Sequence, residues 1–279
     1  MTTQTFSPRL SDEKKLKIIS IAASALSGFF GAAGALSFNW IVQSWLKRDM
    51  KNVNGLALFT IALSLITSVI IRTIWPIQII HINWPILFLS LTCGIIGVFF
   101  GKRYENRLKE MHLRRLFMLI LLFIGFKLIG FIPEQLFSYL SVDARIATAF
   151  WSLIAGIGSP LLGMGAGVFL IPTFLGIGFS RDEAILTSLI VSALLMLQGA
   201  WLFHKAKRLE IKDLRHVWLS SIVGAPAGIW LSYQISPAYF QNLFGILLLV
   251  GASKTFYDIN PRFRKFIRVI LKISSRQEG

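Results

Sequence analysis

Apolar residues run through this chain in eight long blocks, at 16–46, 54–73, 83–101, 113–131, 145–178, 182–203, 214–233 and 237–257, separated by short polar or charged stretches. A helix rises 1.5 Å per residue, so about 20 residues cross the hydrocarbon of a bilayer. Six blocks fit one crossing each. The blocks 16–46 and 145–178 exceed one crossing and fall short of two. Both are also glycine-rich: Gly28, Gly31 and Gly34 lie in the first, and Gly156, Gly158, Pro160, Gly163, Gly165, Gly167 and Pro172 in the second. Helix breakers at this density predict a broken or re-entrant segment. Non-helical backbone at membrane depth survives only where protein or a wet cavity surrounds it.

The composition agrees with this pattern. Of 279 residues, 54% are hydrophobic and 15% charged, against roughly 25% charged in a soluble chain, and the mean hydropathy is +0.66. The predicted fold class is therefore an all-α polytopic membrane protein. The polar first fifteen residues, followed by an apolar run too long for a leader's core, predict no cleavable signal peptide. The single cysteine, Cys93, lies in an apolar run and reads as a packing residue. All acidic residues fall outside the apolar blocks or at their edges, and the four histidines sit near block ends without ligand-like spacing. A carboxylate relay, an intramembrane protease and a metal centre are not expected, and neither is any cofactor. We read the chain as no enzyme.

The formal net charge of +16 is explained by topology rather than nucleic-acid binding, because basic residues cluster in particular loops. Lys102, Arg103, Arg107, Lys109, Arg114 and Arg115 make one cluster, and Lys205, Lys207, Arg208, Lys212 and Arg215 another. The tail from Arg262 to Lys272 makes a third, while 234–242 carries no charge and 73–84 none. The positive-inside rule places the basic loops in the cytoplasm. All of them fall there only if 16–46 and 145–178 each return to the side they entered from, which also makes both termini cytoplasmic. The polybasic tail is then expected to rest on anionic lipid.

Each half of the chain thus begins with a returning hairpin followed by three crossings, and the second half is inverted relative to the first. Residue matches support the repeat: Gly97-Val98-Phe99-Phe100-Gly101 aligns with Gly224-Ala225-Pro226-Ala227-Gly228. Leu116-Phe117 aligns with Leu243-Phe244 and Lys127 with Lys254 at the same offset, and Val53-Asn54-Gly55 aligns upstream with Ala184-Ile185-Leu186. We expect an N-terminal repeat over 1–132, an inverted C-terminal repeat over 133–260 and a basic tail over 261–279. Inverted repeats with discontinuous helices are a transporter pattern, with the site at midplane between the breaks.

The second half resembles the sulfite exporter TauE/SafE family. The carriers are the glycine run Gly163, Gly165 and Gly167, then Pro172, Ala184, the triplet Thr187-Ser188-Leu189, a basic loop, and the glycine-bearing helix Gly224 to Gly228. The likeness covers 145–257 closely and 16–131 loosely. In the first half the glycine run is diluted to Gly31-Ala32-Ala33-Gly34-Ala35, and Leu56-Ala57 stand where Thr-Ser would be. The resemblance implies a cell inner membrane transporter of sulfur-containing anions such as sulfite, sulfonates or thiosulfate, usually an exporter.

An anion needs donors at depth without a trap too strong to leave. Half-helix N-termini with glycines supply backbone N–H groups, and hydroxyls or amides add neutral hydrogen bonds. The candidate substrate-binding residues are Gly31, Gly34, Ser37 and Asn39, facing Ser159, Gly163, Gly165 and Gly167 across a pseudo-two-fold axis. Asn54, Thr187 and Ser188 approach from the following helices, and Gln198 is a further candidate. The expected partners are a small anionic substrate, membrane lipids and a second copy of the chain, with no nucleic acid. A passive anion channel and a transporter of another small solute are the alternatives.

Overall fold

In a computed structural model, residues 10–31, 34, 38, 41–42, 50–74, 81–105, 110–131, 143–163, 165–207, 209 and 218–260 are described. Among them the secondary structure is entirely helical: α1 (Leu10–Phe30), α2 (Met50–Ile74), α3 (Trp84–Tyr104), α4 (Glu110–Leu128), α5 (Ala144–Leu162), α6 (Gly167–Gly176), α7 (Arg181–Lys205), α8 (Trp218–Tyr233) and α9 (Pro237–Ile259). By length and composition four helices can cross a membrane: Asn54–Ile74, Trp84–Tyr104, Ala144–Leu162 and Arg181–Lys205.

Local chemistry sets the helix ends. Ser180 accepts from Glu183 N–H and Glu183 reaches back to the Ser180 backbone, a full capping box that starts α7. The Asp143 carboxylate takes the Arg145 N–H at 2.7 Å to start α5, and Asn83 accepts from Ile86 to start α3, with Pro85 in its first turn.

The block 145–178 divides as its glycines predict. α5 stops at Gly163, whose φ of +62° is a left-handed cap, and the chain restarts as the ten-residue α6. α6 packs against α5 and α7, and Phe169 in its first turn stacks near Trp151 of α5 at 6.2 Å, so the chain has doubled back. The block 16–46 breaks in the same way. Gly31 follows α1 with φ +78°, and Gly34 already lies against Ser27 and Ala23, one to two turns back along α1.

The residues form two compact units, Met1–Arg107 with Ser141–Phe240, and Leu108–Leu140 with Gln241–Gly279. In the smaller unit α4 and α9 meet through Gly125 and Gly245: an added Cβ at Gly245 would sit 3.0 Å from the Gly125 carbonyl. In the larger unit the strongest pairings are α3 with α5, α1 with α8, and α2 with α7. Glycine sets both of the first two. A Cβ on Gly97 or Gly101 of α3 would strike the carbonyls of Leu153 or Ile157 in α5, and one on Gly156 would strike the Gly94 carbonyl. On α8, Gly224 and Gly228 stand in the same relation to Ile21 and Ala25 of α1, and Gly28 faces the Ala225 carbonyl. These are close small-residue helix contacts of the kind membranes favour.

The distribution of polarity is the reverse of a water-soluble fold. Ser20, Ser24, Ser27, Thr60, Ser64, Ser68, Thr148, Ser152, Ser159, Thr187, Ser188 and Ser192 are all buried, while Phe88, Phe99, Phe100, Phe150, Trp201 and Trp230 are exposed. Apolar surface outward and hydroxyls inward is what a hydrocarbon solvent selects.

Candidate functional site

The antiparallel pair α2 and α7 gives the interior of the larger unit an axial scale. Gly55 meets the Phe203 ring and Gly199 meets Leu58. At the other end of α7, Gly31 lies against Ile185 and Leu189, with Ile171 of α6 alongside. From Ile185 to Phe203 is about 27 Å at 1.5 Å per residue. The two breaks therefore sit toward opposite ends of α7.

The candidate residues divide accordingly. At one end Asn54 reaches the last turn of α5, its amide nitrogen 3.4 Å from the Pro160 carbonyl and 3.5 Å from that of Leu161. Ser159 lies in that last turn and Gly163 caps it; Gly165 and Gly167 follow and all four are buried, and one turn beyond Gly167 α6 already reaches Gly31 through Ile171. At the other end are Gly31 and, on the turn of α7 that touches it, Thr187 and Ser188. Gly34 lies beside α1. Gly31 and Asn54 are not brought together. Ser37 and Asn39 lie outside the described residues. Gln198 donates weakly to the Ile95 carbonyl at 3.4 Å.

Between the ends runs a column of hydroxyls that the sequence reading passed over. Thr60, Ser64, Ser68 and Arg72 recur every fourth residue and form one buried stripe along α2. Ser24 of α1 and Ser64 share a hydrogen bond of 2.8 Å. Some hydroxyls are used locally: Ser20, Ser68 and Ser188 each bond a carbonyl of the preceding turn. Others are buried without a partner among the described residues. They are Ser27, Thr60, Ser90, Thr148, Ser152, Ser159, Thr187 and Ser192, together with the amide oxygens of Asn54 and Gln198. A buried polar atom left unpaired costs about 1–3 kcal/mol, so a run of them is an exception to the usual pairing of buried polar groups.

Charge is nearly absent from this interior. Among the described residues only Arg72 and Glu105 are buried charged side chains. Glu105 pairs with Lys102 at 2.7 Å, where α3 ends. Arg72, at the end of the 54–73 block, is 1% exposed. The sequence held a signal for it, since the four-residue spacing puts Arg72 on the same face as the α2 hydroxyls. What it could not show was which face of α2 is buried.

The described interior thus holds neutral donors and helix breaks capped by left-handed glycines, with Glu105 its one buried carboxylate, already paired with Lys102. No curated protein and no solved structure matches the chain significantly. The family model for the sulfite exporter TauE/SafE matches residues 3–128 and 148–276, nearly the whole length of both halves. The looser first half is therefore as much a part of the family as the second, and this multi-pass membrane protein belongs to the sulfite exporter TauE/SafE family of transporters.

Proposed function

We propose that the chain carries a small sulfur-containing anion (sulfite, a sulfonate or thiosulfate) out of the cell across the inner membrane. The observation that carries this reading is the buried stripe of hydroxyls on α2, Thr60, Ser64 and Ser68, with Ser24 of α1 bonded to it. Such a lining suits an anion for two reasons. Hydroxyls and backbone N–H groups donate to it, and no fixed negative charge repels it or offers a proton relay in its place.

The binding residues in this proposal are the two break clusters. Asn54, Ser159, Gly163, Gly165 and Gly167 form one. Gly31, Gly34, Thr187 and Ser188 form the other, and the sequence reading adds Ser37 and Asn39, which lie outside the described residues. α6 begins at Gly167, and its first backbone N–H groups and dipole favour an anion. The two clusters correspond to successive stations on one route, opened in turn.

An inverted repeat over 1–132 and 133–260 accounts for the helix pairings. The first helix of each half, α1 or α5, packs on the helix of the third apolar block in the other half, α8 or α3. The glycines involved are those that align in sequence. A two-fold relation in the membrane plane generates just this exchange and gives each half a hinge of its own. The basic ends of α3 and α7, with Lys102, Arg103 and Lys205, support a cytoplasmic face at that end, and hence cytoplasmic termini.

The test is sulfite flux in proteoliposomes with thiosulfate, a sulfonate and chloride as competitors. Saturable flux blocked by the sulfur anions and not by chloride is the expected result. Non-saturable flux with chloride permeating equally would make the protein a passive channel, and no flux from folded protein would discard the substrate. Gly165→Leu is expected to abolish flux while leaving membrane insertion intact. Unchanged flux in that variant removes the α5–α6 break from the site.

A further inference from the structure

Among the described residues Arg72 is the one buried cation near the break at Gly31. The register set by Gly55 against Phe203 and Leu58 against Gly199 brings Arg72 level with Ile185, the residue Gly31 touches. Its Nη2 donates to the Gly28 carbonyl at 3.1 Å and to the Ser232 hydroxyl at 2.9 Å. The guanidinium carbon lies 5.1 Å from the centre of the Tyr233 ring. Its Nε is buried and has no partner among the described residues. Among those residues no carboxylate forms an ion pair with it: Asp182 pairs with Arg181 at 3.3 Å and acts on Arg72 at longer range, as does the Tyr233 side chain, and Arg181 otherwise donates to the Ile235 carbonyl.

A guanidinium buried in a bilayer-embedded bundle pairs with another charge or with backbone carbonyls, and by default it marks a functional site. Here its acceptors are a carbonyl near the end of α1 and a hydroxyl near the end of α8. Both carry partial charge, augmented by the negative ends of two helix dipoles. That leaves a full positive charge partly compensated and one fork donor idle. A planar fork of this kind is matched by an oxyanion, which takes two N–H groups at once with charge-assisted bonds.

We propose that Arg72 is a binding residue for the transported oxyanion, at the Gly31 end of the pathway. The anion engages Nε and displaces Gly28 or Ser232 from Nη2. In the conformation described the guanidinium ties α2 to both α1 and α8, so occupancy exchanges a helix–helix tie for a ligand and loosens that end of the bundle. Binding and opening are then one event. This inference rests on the anion-transport reading above.

The experiment measures anion-dependent thermal shifts of the purified full chain in a nonionic detergent, where no lipid phosphate competes. Sodium sulfite, thiosulfate, nitrate and chloride are titrated at constant ionic strength against wild type, Arg72→Lys, Arg72→Gln and Ser232→Ala. A saturable sulfite shift in wild type is expected, with half-saturation raised at least tenfold in Arg72→Gln, by less in Arg72→Lys, and elution profiles unchanged. Wild-type half-saturation in a folded Arg72→Gln protein overturns the proposal and leaves Arg72 a structural tie. If Arg72→Gln does not fold, Arg72→Lys and Ser232→Ala decide: half-saturation unchanged in both overturns it, and a threefold rise in either supports it. A wild-type response to nitrate alone, lost on substituting Arg72, keeps the anion site and rejects the sulfur substrate. No response to any anion overturns both.

Discussion

At the scale of single residues, the unpartnered hydroxyls and the hydrogen-bonded ones play different parts, and substitution separates them. Ser24 and Ser64 hold α1 to α2. Interhelical hydrogen bonds in membranes average about 0.6 kcal/mol, so Ser24→Ala is expected to lower the thermal midpoint slightly while leaving flux near wild type. Ser192 and Thr187 bond nothing among the described residues, so Ser192→Ala and Thr187→Val are expected to leave stability unchanged or improved and to cut flux severalfold. Flux in proteoliposomes beside melting curves distinguishes the two classes, and the reverse pattern would remove the column from the pathway. Gly156 differs again: its missing Cβ admits the Gly94 carbonyl. Gly156→Leu forces α3 and α5 apart, and the expected outcome is loss of monodisperse protein in size-exclusion chromatography rather than a kinetic defect.

At the scale of helices, much was legible and the reasons are local. Glycine and proline break helices wherever they cluster, so the division of 145–178 at Gly163 and of 16–46 at Gly31 could be read from composition and length alone. Helix ends followed from their caps, and the capping box that starts α7 is itself testable. Ser180→Ala is expected to cost about 1 kcal/mol, measured as a drop in melting temperature with flux retained. Partnership was not legible. Nothing in the spacing of Gly28 announces that it meets Ala225, because a small residue advertises closeness without naming its neighbour. The α2 stripe was present in the sequence as Thr60, Ser64, Ser68 and Arg72 and went unread. Its residues look like scattered polar interruptions until the buried face is known. The sequence reading placed its candidate residues at the two breaks, and the axial separation of those breaks depends on how far α7 runs between them, a tertiary quantity.

At the scale of the whole molecule, the orientation inferred from charge has a direct check. In a Cys93→Ala background, Tyr239→Cys is expected to react with an impermeant maleimide in intact cells, and Lys205→Cys only after permeabilisation; labelling the other way round would reverse the topology. The exchange of partners between α1 with α8 and α3 with α5 also bears on how the protein is made. α5 emerges to find α3 already made, but α1 finds the surface that buries its glycine face only after α8 of the other half has been synthesised, so that contact, Gly28 on Ala225, joins points separated by most of the chain. Such long-range closure is slow, and the emerging first half must wait in the bilayer with its carbonyl-facing grooves empty. Biogenesis, rather than the stability of any one helix, becomes the vulnerable step. A chain cut after residue 132 should be cleared when either fragment is made alone and should reassemble when both are made together, because neither half carries its own counterpart.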